Sequence, residues 1–221
     1  MLTLKIDLVS DVSCPWCAIG LASLEQALDR LKDDIRPELH CQPFELNPKM
    51  PAGGQDIGEH LSEKYGSTPA QQEQVRETIR QRGAEVGFTF HADGRGRIYN
   101  TFNAHRLLQW AGAEHPAQQM TLKKALLVAC HQDRRAMDTD EVLLDAVRQA
   151  GLDVGRAQAI LASDEWADDV RQQEAFYASQ GIHAVPAVIV QDRYLISGGQ
   201  PVAVYEQVLR EVAAEVGRRS G

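Results

Sequence analysis

The sequence predicts an α/β fold in which a βαβ unit and a ββα unit enclose a long helical block. Three observations carry this. Leu2, Leu4, Ile6 and Leu8 alternate with Thr3, Lys5 and Asp7, the period of a strand. Cys17, Leu21, Leu24, Leu28 and Leu31 are spaced 4, 3, 4 and 3, the apolar stripe of a helix. Strand character then returns only near the end, in the run from Ala184 to Val190 and in Tyr194-Leu195-Ile196.

Taken in order, the first strand covers Leu2 to Val9 and the first helix Pro15 to Leu31. Pro15 suits the first helical position, where an absent N–H costs nothing. The polar alternate face of the first strand implies a sheet face that is partly exposed. A second strand lies between Arg36 and Phe44; Pro37 and Pro43 place it at a sheet edge. A helix is expected from Asp56 to Lys64, ending near Gly66, and another after the Thr68-Pro69 cap, ending by Gly87. Asp93-Gly94-Arg95-Gly96 reads as a loop. Helices follow at 101–113, 116–132, 139–150, 153–162 and 164–180, with Asp138, Thr139 and Ser163 as caps and Gly151 and Gly181 as stops. Gln191-Asp192-Arg193 turns the two late strands into a hairpin. Pro201 opens a last helix with Tyr205, Val208, Leu209, Val212 and Val216 on one face. The expected division is a discontinuous sheet domain, 1–45 and 182–221, interrupted by a helical domain, 46–181.

The 221 residues carry a net charge of −8, which argues against a nucleic-acid footprint. No apolar run approaches the ~18 residues of a membrane span. The first residues lack the basic, apolar and cleavage regions of a signal peptide, so a cytoplasmic location is expected. In a reducing cytosol a C-x-x-C is catalytic more often than a structural staple.

That motif is Cys14-Pro15-Trp16-Cys17, set between the first strand and the first helix. Free N–H groups and the positive end of the helix dipole favour an anion at Cys14. Cys14 is therefore expected to be solvent-reachable, with a lowered pKa, and to be the nucleophile. Cys17 lies on the apolar stripe and is the resolving thiol. A structural zinc site would need a second close pair of ligands, and Cys41 and Cys130 stand alone, so no metal is expected. Ala18 after Cys17 breaks the c-type haem pattern. Cys41 and Cys130 read as inert core thiols, and a bridge between them is disfavoured in the cytosol. Pro186 opens an apolar strand, where a proline is tolerated.

Together these features resemble the DsbA-type thioredoxin-like fold (βαβ…ββα) with a large inserted all-helical domain. They resemble most closely the FrnE-like subgroup of DsbA-family oxidoreductases. The matching stretches run over nearly the whole chain: Ser10-Asp11-Val12-Ser13-Cys14-Pro15-Trp16-Cys17-Ala18-Ile19-Gly20, Phe44-Glu45-Leu46-Asn47-Pro48, the segment Asn100 to Leu108, and Ser197-Gly198-Gly199-Gln200-Pro201. The resemblance implies that Pro186 is cis and sits beside Cys14, and that Val185 offers its backbone to a bound peptide. It puts Thr101, His105 and Arg106 near the cleft, with His105 or Arg106 stabilising a thiolate or orienting substrate. Read without it, those three residues form a capped, solvated helix face. Trp16 is expected to be an exposed contact for substrate, or else packed on the helical block. The chain departs from the family at Ala184, where glycine is usual, and at Ala187-Val188, where aromatics are usual. Trp16 stands where strongly oxidising periplasmic relatives carry His, so extreme oxidising power is not carried over.

The expected activity is cytoplasmic dithiol–disulfide exchange, including isomerisation, through the Cys14–Cys17 couple. No cofactor is expected beyond that couple, with a thiol reductant such as glutathione as co-substrate. Partners are disulfide- or thiol-containing proteins or small thiols, with no nucleic acid and no membrane; monomer and homodimer both stay open. Two rivals remain. One is a glutathione-dependent isomerase or transferase similar to 2-hydroxychromene-2-carboxylate isomerases and kappa-class transferases, which usually carry Ser in place of Cys14. The other is a non-enzymatic metal-binding or redox-sensing module.

Overall fold

A computed structural model describes residues 1–220. Its first part runs β1 (Leu2–Ser10), α1 (Pro15–Arg30) and β2 (Ile35–Pro43). A two-residue strand β3 (Gln55–Asp56), α2 (Ile57–Tyr65), α3 (Pro69–Glu85) and another short strand β4 (Arg97–Ile98) follow. Next come α4 (Phe102–Glu114), α5 (Pro116–His131), α6 (Asp140–Gln149), α7 (Val154–Leu161) and α8 (Ala167–Ser179). The chain closes with β5 (Ala187–Val190), β6 (Tyr194–Ser197) and α9 (Val202–Ser220).

The main sheet has the order β2-β1-β5-β6, so β2 is an edge strand and its prolines are tolerated. β1 and β2 are parallel, with Leu8 opposite Cys41. β5 runs antiparallel to β1, with Leu8 opposite Val188, and pairs with β6 as a hairpin. The hairpin turn uses Gln191 and Asp192 at φ 54° each, the paired left-handed geometry that matches strand twist.

One core lies between this sheet and α1 with α9. Leu4, Ile6 and Leu8 meet Ala18, Leu21 and Leu24, and Val188 meets Tyr205 and Leu209. Each large apolar side chain buried there contributes about 1.5–3 kcal/mol. A second core forms around Trp110 from α4, α5, α6 and α7, and it takes in Val12 and Cys41 from the sheet's end.

Four local expectations differ. The second face of β1 is exposed only at its start. Asp7 is buried, accepting from Gln42 Nε2 at 2.6 Å and pairing with Lys5 Nζ at 3.2 Å, and Val9 beyond it is buried outright. The late strand begins at Ala187 rather than Ala184. Ser163 does not cap a helix: α8 starts at Ala167 behind a left-handed Trp166, and Ser163 Oγ closes a turn onto the Ile160 carbonyl. The β3–β4 ladder, inside the stretch read as helix start and loop, ties Gln55 to Ile98. Among the described residues no helix is long and apolar enough to cross a membrane.

Candidate active site

β1 delivers the chain into a tight turn at Asp11. The Asp11 carbonyl accepts from Cys14 N–H at 3.2 Å, and its carboxylate accepts from the N–H groups of Ser13 (3.0 Å) and Leu46 (2.8 Å). This clamp sets Cys14 as the N-cap of α1, in extended backbone conformation (φ −91°, ψ 115°), with Pro15 at the first helical position. One turn on, Cys17 N–H closes onto the Cys14 carbonyl at 3.1 Å. All four cysteines are free thiols.

The sequence placed Cys14 in the open, and this is corrected: it is only 4% exposed, and Cys17 is 0% exposed. The cover comes from distant parts of the chain. The Val185 carbonyl lies 3.8 Å from Cys14 Sγ, and the Val185–Pro186 peptide is cis. Cys14, Pro15, Trp16 and Val185 are among the residues that line a groove of about 350 Å³. Its walls are Leu46, Ile57, Leu61, Ile79 and Phe90, with Arg76, Arg80 and Arg95 among them and His131 beside them. Cys14 is thus approached along a groove, not from bulk solvent. Trp16 is half-buried in the same groove rather than exposed. Close packing behind the sulfurs requires glycine twice. A Cβ on Gly20 would meet Pro186 Cγ at 3.0 Å, and one on Gly199 would meet the Trp16 carbonyl at 2.9 Å.

The two thiols are driven apart. Donation from the Cys17 thiol, and secondarily from the Cys17 backbone N–H, holds Cys14 below the usual thiol range against the cost of burial; Arg95 helps and Asp11 opposes. Burial, reinforced by Cys14, pushes Cys17 well up. Asp11 is itself an anion: burial pushes its carboxyl up, but the His105 ring and the N–H groups of Leu46 and Ser13 bring it down to about 2.

The remaining sequence candidates divide. Thr101 is buried at the start of α4 and makes no side-chain cap; Asn100 Oδ1 accepts the Phe102 N–H in its place. His105 is buried with Nε2 3.5 Å from Asp11 Oδ1, so it orients the clamp rather than touching a sulfur. Arg106 does not reach the cleft. It is buried against the carbonyls of Ile160, Ser163 and Glu165 and holds the turn between α7 and α8. The solvated-face reading of these three residues fails as well, because α4 is packed on α5, α8 and β2. Cys41 and Cys130 are buried, and burial pushes Cys130 up to about 11.

Two site residues escaped the sequence reading. Arg95 donates to the Ser13 carbonyl and hydroxyl, fixing the residue before Cys14. His131 donates through Nε2 to the Val12 carbonyl, 3.0 Å away, and packs edge-on against the rings of Phe88 and Phe90. Burial holds it neutral, down to about 3. Among the described residues no group of three His, Cys, Asp or Glu side chains is arranged to hold a metal ion.

The sequence profile of the DSBA-like thioredoxin domain matches residues 5–210. Among solved structures, the chain is similar to a probable DsbA oxidoreductase from Streptomyces coelicolor at 30% identity, covering 96% of this chain and 91% of that one, with a TM-score of 0.87. It shares its fold with a 2-hydroxychromene-2-carboxylate isomerase (15% identity, 98% and 100% covered, TM-score 0.71). It also shares it with the cytosolic disulfide reductase DsbM from Pseudomonas aeruginosa, solved with GSH (16% identity, 93% and 98% covered, TM-score 0.62). Among curated proteins none matches the chain.

Proposed function

Because the chain belongs to the DSBA-like thioredoxin domain family, we propose that it is a dithiol–disulfide oxidoreductase of the cytoplasm working through Cys14 and Cys17. The observation that carries this is the pair itself. A thiol favoured as thiolate lines a groove, and a second, protonated thiol stands one turn behind it, fully buried and out of reach of substrate.

The cycle follows from that asymmetry. The Cys14 thiolate attacks a substrate disulfide; one substrate sulfur leaves with the electron pair, and a mixed disulfide remains. Cys17 then attacks Cys14 Sγ, the Cys14–Cys17 bond forms, and the second substrate sulfur departs reduced. Run backwards, the same steps oxidise a dithiol, and an interrupted cycle isomerises. Direction is set by reduction potentials. Asp11, His105 and Arg95 hold the turn that presents Cys14. Trp16 and the backbone of Val185 supply contacts for an extended disulfide segment entering the groove. No resident cofactor is needed. The partners are proteins or small molecules bearing disulfides or thiols, glutathione among them as reductant, whether the protein works as a monomer or a homodimer.

The test is insulin reduction driven by dithiothreitol or glutathione. Catalysis by the wild type and its loss in both Cys14→Ser and Cys17→Ser support the proposal. A Cys17→Ser variant with full glutathione-dependent activity on an aromatic electrophile would favour the isomerase or transferase chemistry in its place.

A further inference from the structure

Two features of the groove that Cys14 lines are left over from the exchange cycle. The first is charge. Arg76, Arg80 and Arg95 line it, and among the described residues Asp93 is the one carboxylate that does, in a chain of net charge −8. Asp93 has a cation of its own outside the groove, with Arg134 Nη1 3.6 Å from its Oδ2. The second is apolar surface left open to water. Tyr65 and Val75 are 62% and 51% exposed, and both belong to the groove, as do Leu61 and Ile79. Apolar surface gathered in a groove and rimmed by charge marks a binding site.

The three arginines form a file. Arg95 donates to the carbonyl and hydroxyl of Ser13, next to Cys14, and among the described residues no carboxylate pairs with it. The stem of Arg76 packs on the residue before Arg95: a Cβ on Gly94 would meet Arg76 Cδ at 3.5 Å. Arg80 follows about one turn along α3, ~6 Å further on. Arg76 and Arg80 pair with Glu73 and Glu77, at 3.2 and 2.9 Å, on the exposed side of the same helix. Neither glutamate enters the groove lining. Exposed pairs of this kind are weak, so a carboxylate arriving in the groove can take over either guanidinium, and a bidentate fit favours it.

We infer that the groove selects its substrate: an extended protein segment whose reacting cysteine is flanked, within about five residues, by apolar and acidic side chains, with Arg76 and Arg80 taking the carboxylates. The inference rests on the exchange reading proposed above. The apolar side chains bury against the wall of Leu61, Tyr65, Val75 and Ile79, and the cations draw an acidic segment in ahead of a basic one. Glutathione disulfide is anionic too, but it carries no apolar side chain and would leave that wall uncovered. In the step concerned, the Cys14 thiolate attacks the sulfur of the docked cysteine. The bond from Cys14 to that sulfur forms as the substrate disulfide breaks, and the other sulfur leaves with the electron pair. Arg76 and Arg80 bind; no proton or electron passes through them.

The test uses two short peptides with one cysteine each, capped as the mixed disulfide with 2-thiopyridine. They share the same apolar residues; one carries two flanking glutamates and the other two flanking lysines. Attack by Cys14 releases pyridine-2-thione, read by absorbance, and each rate is divided by that peptide's own rate with dithiothreitol. The ratio of acidic to basic peptide is expected to be about tenfold at low salt. It is expected to collapse toward one in 1 M salt, where charges act over only ~3 Å. Arg76→Gln combined with Arg80→Gln is expected to bring it to about twofold, and Arg76→Glu combined with Arg80→Glu to invert it. A ratio taken within one protein is insensitive to loss of folded material. No preference in the wild type, or a preference that both double variants keep, would overturn the inference. So would glutathione capped in the same way and reacting as fast as the acidic peptide, since glutathione has no use for the apolar wall. A wild type that releases no thione from any of the three would remove the exchange chemistry itself and the inference with it, a failure plainly different from the others.

Discussion

Replacing Arg95 with Met tests how Cys14 is activated. Arg95 is half-buried in the groove wall and donates to the Ser13 carbonyl and, at 2.8 Å, to the Ser13 hydroxyl. With ~3.8 Å between successive Cα atoms, its guanidinium lies on the order of 7 Å from the Cys14 sulfur. At an effective dielectric of ~20 the attraction to a thiolate is about 2 kcal/mol. Water and salt in the groove reduce this to about 1 kcal/mol, or ~0.7 pH unit. Losing a cation destabilises the thiolate, so the midpoint moves up. The rate changes less than the midpoint, because a more basic thiolate is also more nucleophilic, with a Brønsted coefficient of ~0.45. On the acid limb the net slowing is therefore about 2.5-fold. The assay is alkylation of Cys14 by iodoacetamide across pH, read by peptide mass spectrometry. Arg95→Met is expected to shift the midpoint up by about 0.7 unit, while Arg95→Lys stays near the wild type. A midpoint that does not move, or that moves down, would refute the electrostatic role of Arg95.

Cys17→Ser is expected to accumulate mixed disulfides with substrate proteins and Cys14→Ser none, read on non-reducing gels; equal trapping by both would reverse the roles. Neutral His131 makes stability depend on acid. The unfolded chain takes up that proton from about pH 6.5, whereas the folded chain resists until about 3. Stability is therefore complete above pH 6.5 and falls as the pH drops, by roughly 2–3 kcal/mol between pH 7 and 4.5. Urea titrations of wild type and His131→Gln are expected to show that slope in the first and its loss in the second. Arg106→Met removes donors to the carbonyls of Ile160, Ser163 and Glu165. It is expected to cost about 3 kcal/mol of stability and to leave the Cys14 alkylation midpoint unchanged.

Elements governed by local signals were legible. The period-two pattern of β1, the apolar stripe of α1, the Thr68-Pro69 cap of α3 and the left-handed Gly66 after α2 all act within a few residues. The pairing of Cys14 with Cys17 was legible for the same reason. The covering of Cys14 was not, because it depends on Val185, distant in sequence, and on a groove wall built from α2 and α3. Burial of Asp7 depended on the β1–β2 register, which sets Asp7 opposite His40 and brings Gln42 within reach. Arg95 sits between two glycines, and nothing local separates it from a solvated loop arginine. α5 misleads most, since Gln119, Lys123 and His131 put polar side chains on the face it buries. Arg106 shows the converse error, a charge read as solvated that closes a buried turn.

The most direct test of the central claim is a redox titration of the whole protein in glutathione buffers, with each cysteine peptide mapped by mass. The account expects a single two-electron transition, tenfold in equilibrium constant per ~30 mV, in which the peptide bearing Cys14 and Cys17 loses two hydrogens while Cys41 and Cys130 stay thiols. A titration that ends in a stable glutathione adduct on Cys14, with Cys17 still a free thiol, would contradict it.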